Sequence, residues 1–217
     1  MQILKEQSRL MLVIWGMLAT TFLAALGLGR WSLAFVALAT FALSLAPVLL
    51  ASRLRIQLPL PFLAATSLFV FASIFMGEAF DFYERFWWWD LALHGSSAVG
   101  FGLIGFLFVF MLFEGDRFAA PPSAMAFITF CLAMTVGSIW EVFEYLMDQS
   151  FGLNMQKSGL DDTMGDLMVD AAGASIAALS GFLYLRGQSS GLLGRAIVQF
   201  IALNRRLYAK SRDRLRK

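Results

Sequence analysis

Six apolar runs, each near the length needed to cross a bilayer, leave this 217-residue chain few folds to choose from. A helical span takes about 20 apolar residues. Leu10–Leu28, Trp31–Ala51, Phe62–Phe80, Asp90–Phe113, Ser123–Met147 and Asp162–Leu185 all reach or approach that length. Only 15% of residues are charged and 59% are hydrophobic, whereas a soluble domain is about one quarter charged. Lipid offers the backbone no hydrogen-bond partners, so each run must satisfy its own N–H and C=O groups as a helix. The expected fold is all-α: a polytopic membrane domain of six transmembrane helices over residues 1–185, then a basic amphipathic tail, 186–217.

The punctuation agrees. Met1–Arg9 is a charged head, and no small-residue cleavage site precedes Arg30, so the first run reads as an uncleaved span rather than a signal peptide. Gly27-Leu28-Gly29-Arg30 predicts a tight turn, Pro47 a kink in the second span, and Pro59 and Pro61 the opening of the third. The run Asp81–Asp90 holds three consecutive tryptophans and reads as an interfacial aromatic belt, with substrate stacking as the alternative. Gly95, Ser96, Ser97, Ala98, Gly100, Gly102 and Gly105 give the fourth span small faces for close helix packing. A charged loop, EGDRF, and Pro121-Pro122 lead into the fifth span. Beyond Arg186, Leu193, Ala196, Ile197, Phe200, Ile201, Asn204 and Leu207 share one helical face, and Asp213 is the sole acid among many Lys and Arg. That combination predicts an amphipathic helix on an anionic membrane surface, not a nucleic-acid partner.

Charge then sets the topology. Six spans put both termini on one side, and of 17 Lys and Arg only Arg30, Arg85 and Lys157 fall on the other. The positive-inside rule makes the termini cytoplasmic. Acids divide the opposite way: Glu6, Glu114, Asp116 and Asp213 lie inside, and the rest of the 15 lie outside or in the outer halves of spans.

Those outer acids form helical faces. Asp90 and His94 are four apart at the start of the fourth span, Glu141, Glu144 and Asp148 share the end of the fifth, and Asp162, Asp166 and Asp170 recur every four residues into the sixth. Glu78 at the end of the third span is a possible addition. An ionisable residue at the centre of a membrane helix costs about 2.5–3.5 kcal/mol on insertion scales and marks a functional site by default. Turning the three faces toward one another is the economical arrangement. Crowded carboxylates then either hold protons or surround a cation. Oxygen ligands with one imidazole suit Mg²⁺, Mn²⁺, Fe²⁺ or Zn²⁺. Three readings stay open: a divalent metal site, protonated acids bonded between helices, and a proton or cation path. His94 reads equally as a packing residue and as a ligand or acid–base group partnered by Asp90. As the only cysteine and only histidine, Cys131 and His94 exclude an internal disulfide, a thiolate cluster and a multi-histidine zinc site.

The order Asp90-x-x-x-His94, Glu141-x-x-Glu144, Asp166-x-x-x-Asp170-x-x-Gly173 resembles the VanZ-like membrane proteins and the related YjdF-type inner-membrane family. VanZ-like chains carry Asp-Lys-x-x-His, Glu-x-x-Gln and Asp-x-x-x-Asn-x-x-Gly. This chain differs at Leu91, Glu144 and Asp170, and its aspartate-rich last motif is closer to the YjdF type. The resemblance covers Trp87–Leu185 and implies a bacterial, multi-pass protein of the cytoplasmic membrane; VanZ itself is linked to glycopeptide resistance.

Other chemistries fit less well. A CDP-alcohol phosphotransferase needs an upstream Asp-Gly-x-x-Ala-Arg half that is missing, and a rhomboid-type protease needs Gly-x-Ser-Gly where Gly137-Ser138 lacks the second glycine. Ser96, Ser97 and Ser138 read as packing serines. Two functions stay in view. One is a metal-dependent hydrolase or transferase on a lipid or lipid-linked envelope substrate, with Asp90, His94, Glu141, Glu144, Asp162, Asp166 and Asp170 as candidate ligands and Glu141, Glu144 or His94 in acid–base roles. The other is a proton- or cation-coupled carrier, which the acid-free inner halves of the spans disfavour. A non-enzymatic envelope or resistance-accessory role is a third possibility.

Overall fold

The structure is a computed structural model that describes residues 8–113, 120–188 and 190–208. Among the described residues it is all-helical. Six helices among the described residues are long and apolar enough to cross a membrane, as the sequence predicts. The acidic and basic residues of the head before Ser8, the EGDRF loop and the basic end of the tail lie outside the described residues. The chain groups into two compact units that divide between Trp87 and Trp88, inside the stretch the sequence reads as one membrane domain.

The first unit contains α1 (Arg9–Gly27), α2 (Trp31–Leu54), α3 (Leu60–Val70) and the short α4 (Phe82–Arg85). Met11, Ile14, Trp15 and Leu18 recur at helical spacing on α1 and bury against Ala37, Phe71 and Phe75. Small residues answer from α2, where Ala34, Ala37, Thr40 and Ser44 are buried. Trp15 Nε1 donates to Ser44 Oγ at 2.9 Å, an interhelical bond worth on the order of 1 kcal/mol in a membrane. Helix α2 runs on through Pro47. The third span departs from expectation, because α3 continues from Phe71 to Ala79 as a π-helix. Phe71, Phe75 and Gly77 are its buried residues, and a side chain at 77 would run into the ring of Tyr83. A wide π turn is set by such packing and has no composition of its own to read.

In the second unit, α5 (Trp89–Phe113), α6 (Pro122–Phe151) and α7 (Leu160–Leu185) pack in pairs, and α8 (Leu192–Leu203) docks on α5 and α7. Each long helix contributes one stripe. On α7 it is Asp166, Asp170, Gly173, Ala174, Ala177, Ala178 and Gly181; on α6 it is Met125, Thr129, Ala133, Glu141 and Glu144; on α5 it includes His94, Ala98, Gly102 and Phe106. Small residues let the backbones approach closely. A Cβ at Gly173 would strike the Gly95 carbonyl, one at Gly102 would strike Ala177, and one at Gly181 would strike the Phe106 ring. Ser96 and Ser97 return their hydroxyls to the carbonyls of Leu93 and His94, at 3.0 and 2.9 Å, which fits their packing role.

The tail helix is amphipathic on the expected face, but that face meets protein. Leu193, Ile197 and Ile201 pack with Leu103, Phe106, Phe110 and Tyr184, and the Tyr208 hydroxyl donates to the Leu107 carbonyl at 3.3 Å. Cover is partial, since Leu192, Val198 and Leu203 of α8 stay exposed.

Candidate functional site

The acidic faces of the second unit converge. Asp90 and Asp162 sit in the first turns of α5 and α7, where the exposed N–H groups of a helix end favour negative charge. Glu141 and Glu144 reach the same level from α6. Helix α6 ends at Gly152, which takes a left-handed conformation (φ 65°) and bonds back to the Asp148 carbonyl. Asp148 is structural: its two carboxylate oxygens accept the backbone N–H groups of Met155 and Gln156, at 2.7 and 2.9 Å. This folds the loop so that α7 enters beside α6.

His94 is central. Its Nε2 lies 3.8 Å from Glu141 Oε1 and 4.0 Å from Asp90 Oδ1, and its Nδ1 lies 3.5 Å from Asp170 Oδ2. Separations of 3.8 and 4.0 Å are too long for hydrogen bonds. They do fall within the span of two ligands on one ion, at most about 4.2 Å for bonds of roughly 2.1 Å. The ligand atoms of His94, Glu141 and Asp166 lie within 4.8 Å of one another, as do those of Asp90, Asp162 and Asp166.

Burial makes the arrangement costly as it stands. Asp170 is 0% exposed, Asp166 1%, Glu141 5%, Glu144 6% and His94 7%. Both oxygens of Asp166, together with Glu144 Oε2, Asp162 Oδ2 and Asp170 Oδ1, are buried with no hydrogen-bond partner among the described residues. Leaving a charged group buried and unpaired costs several kcal/mol, on the order of 3–5 when a partner is removed from a buried pair. A cation among them would supply what the side chains lack.

The family comparison covers this whole region. The family described as "Predicted membrane protein (DUF2238)" matches residues 8–187. The chain belongs to this family. Every candidate site residue of this DUF2238 member lies inside the matched span. An uncharacterized protein of Thermotoga maritima is 32% identical over 112 residues, 50% of this chain and 57% of the relative, so the chain spans little more than half of that relative's length. No solved structure matches.

The seven sequence-predicted residues occupy different places in the cluster. His94, Glu141 and Asp166 form one buried triad, and Asp90 and Asp162 join Asp166 in a second, more open one. Asp170 stands behind His94 on its other ring nitrogen. Glu144 accepts a hydrogen bond from Trp140 Nε1 at 2.8 Å. Glu78 is exposed and belongs to the first unit.

Two residues of the site escape sequence reasoning. Trp140 looks like one more interfacial aromatic, yet it lies one helical turn before Glu144 and donates to it. Gly137 is the other: a Cβ there would collide with the Asp170 carboxylate, so its hydrogen makes the space Asp170 occupies. Its signal is the stripe 125, 129, 133, 137, 141 on α6, in which it stands one turn from Glu141.

Proposed function

We propose that the outer ends of α5, α6 and α7 hold a divalent cation, and that this membrane protein uses it for hydrolysis or group transfer on a lipid or lipid-linked envelope substrate. One observation carries the metal reading: buried carboxylate oxygens without hydrogen-bond partners among the described residues surround the chain's single imidazole. In this reading Nε2 of His94, Glu141 and Asp166 are ligands. Asp170 accepts from Nδ1–H and fixes the ring, a common arrangement behind metal-bound histidines. Mg²⁺, Mn²⁺, Fe²⁺ and Zn²⁺ all suit this donor set. Glu144 has one oxygen held by Trp140 and one without a partner among the described residues, the state expected of a base that takes a proton from water. Trp140 also lines a shallow apolar groove with Val136, Ile139 and Phe143, where an acyl chain would lie beside the carboxylates.

Metal analysis of the purified protein is the direct test. Wild type is expected to retain at least one divalent ion per chain after size exclusion, and His94→Ala and Asp166→Ala are expected to lose most of it. Equal metal in wild type and both variants would remove the reading. A finer family identity, VanZ-like or YjdF-type, rests on the motif order alone and would place the protein in a bacterial cytoplasmic membrane.

The orientation proposed from charge, with cytoplasmic termini and an external site, has its own check. In a Cys131→Ser background, a cysteine at Ser158 should react with a membrane-impermeant maleimide on intact cells, and one at Ser52 should react only after lysis. The reverse pattern would put the site on the cytoplasmic side.

A further inference from the structure

We propose that the site is dinuclear, with Asp166 as the carboxylate shared by two divalent ions; this rests on the metal reading above. Asp166 belongs to both triads: with His94 and Glu141 deeper in the bundle, and with Asp90 and Asp162 nearer the helix ends. It has two oxygens to give, both buried and without a hydrogen-bond partner among the described residues. A carboxylate that faces two ligand sets with two vacant oxygens has the form of a bridging ligand.

Charge supports two ions over one. Asp90, Glu141, Glu144, Asp162, Asp166 and Asp170 crowd one end of the bundle. Among the described residues the positive side chains that act on them are Lys157, close enough to Asp90 and Asp162 to attract both, and His94 when protonated. A single divalent ion in the deeper triad leaves the outer pair dependent on Lys157. A second ion between Asp90, Asp162 and Asp166 removes that deficit and occupies Asp162 Oδ2, which otherwise has no partner among the described residues. The two sites would differ in character. The deeper one has an imidazole and is fully buried, whereas Asp90 and Asp162 are half-buried, so the outer ion would exchange faster.

The experiment uses the full-length protein in detergent, stripped with chelator and dialysed against Mn²⁺. Manganese per chain is counted, and the electron paramagnetic resonance spectrum is recorded. Two ions per chain with an exchange-coupled spectrum are expected in wild type. Asp162→Asn should leave one ion with an uncoupled six-line spectrum, Glu141→Gln should likewise leave one, and Asp166→Asn should abolish coupling and weaken both sites at least tenfold. These amide replacements keep side-chain volume, and an unchanged melting temperature in chelator confirms an intact fold. One ion per chain in wild type, or two ions with no coupling, would overturn the shared carboxylate while leaving the metal reading standing. Retention of a coupled pair by Asp166→Asn would also overturn it. No bound manganese in wild type would remove both proposals together.

Discussion

Gly137→Ala is expected to lower divalent-metal affinity about 10–100-fold, the usual effect of losing the group behind a metal-bound histidine, although residue 137 has no ligand atom. The added methyl would occupy the place of Asp170 Oδ2. Asp170 can yield, because the colliding atoms are the far end of its side chain, and the helices need not separate. What it loses on rotating is its position 3.5 Å from His94 Nδ1. His94 is then free to turn Nε2 away from Glu141. Asp170→Ala should have the same effect by a different route, and the double variant should be no worse than either alone, since both remove one interaction. Equilibrium dialysis with Mn²⁺ reads the affinity, and thermal unfolding in chelator checks the fold. Wild-type affinity in Gly137→Ala would show that Asp170 does not hold His94.

Gly173→Val should be the most damaging single replacement in the second unit. Its Cβ would run into the Gly95 carbonyl and come within 2.9 Å of Ala98 Cβ and 3.2 Å of the Val99 amide nitrogen. Two of these three obstacles are backbone, so the clash cannot be relieved by a rotamer and α5 and α7 must move apart. Overpacking typically costs about 1–3 kcal/mol, occasionally more, and rigid backbone on the receiving side puts this case at or above the upper end. Because His94 precedes Gly95 and Asp170 lies one turn before Gly173, separation also opens the candidate cage. Loss of the folded, monodisperse protein, or a large drop in melting temperature with loss of metal, is expected. Gly100→Ala is the matched control: nothing lies within 4 Å of a Cβ there, so it should melt like wild type. If Gly173→Val melts alongside the control, α5 and α7 are not in backbone contact.

Much of this architecture was legible because membrane burial imposes long, uniform runs on a sequence. The six spans and the amphipathic face of α8 follow from that constraint, with ends displaced by a turn or less in most cases. The common level of the acids follows too, since position is counted directly along a helix. Azimuth was harder. Whether Asp166 and Asp170 face α5 depends on the whole stripe through Gly173, Ala177 and Gly181, and the small residues of that stripe are informative only when read in phase with the acids above them. Asp148 shares the helical spacing of Glu141 and Glu144, yet the loop after α6 uses it as an acceptor for backbone N–H groups; partners in an irregular loop leave no periodic trace. The π-helical end of α3 and the boundary at Trp87 are likewise products of packing. The apolar face of the tail helix is legible in the sequence, whereas its partial cover by α5 and α7 is a product of packing.

The contact between Gly173 and Gly95 also bears on transport. Alternating access requires one group of helices to rock against another around a central site, and such sliding is easiest where side chains, not main chains, separate the moving parts. Here α5 and α7 interlock through backbone and small residues from Gly95 and Gly173 down to Phe106 and Gly181, directly beneath the carboxylates. Interiors packed this closely transmit strain and do not deform smoothly. A hinge between these two helices would have to break that seam along its length, so the seam suits helices that keep one arrangement better than a gate that swings between two sides.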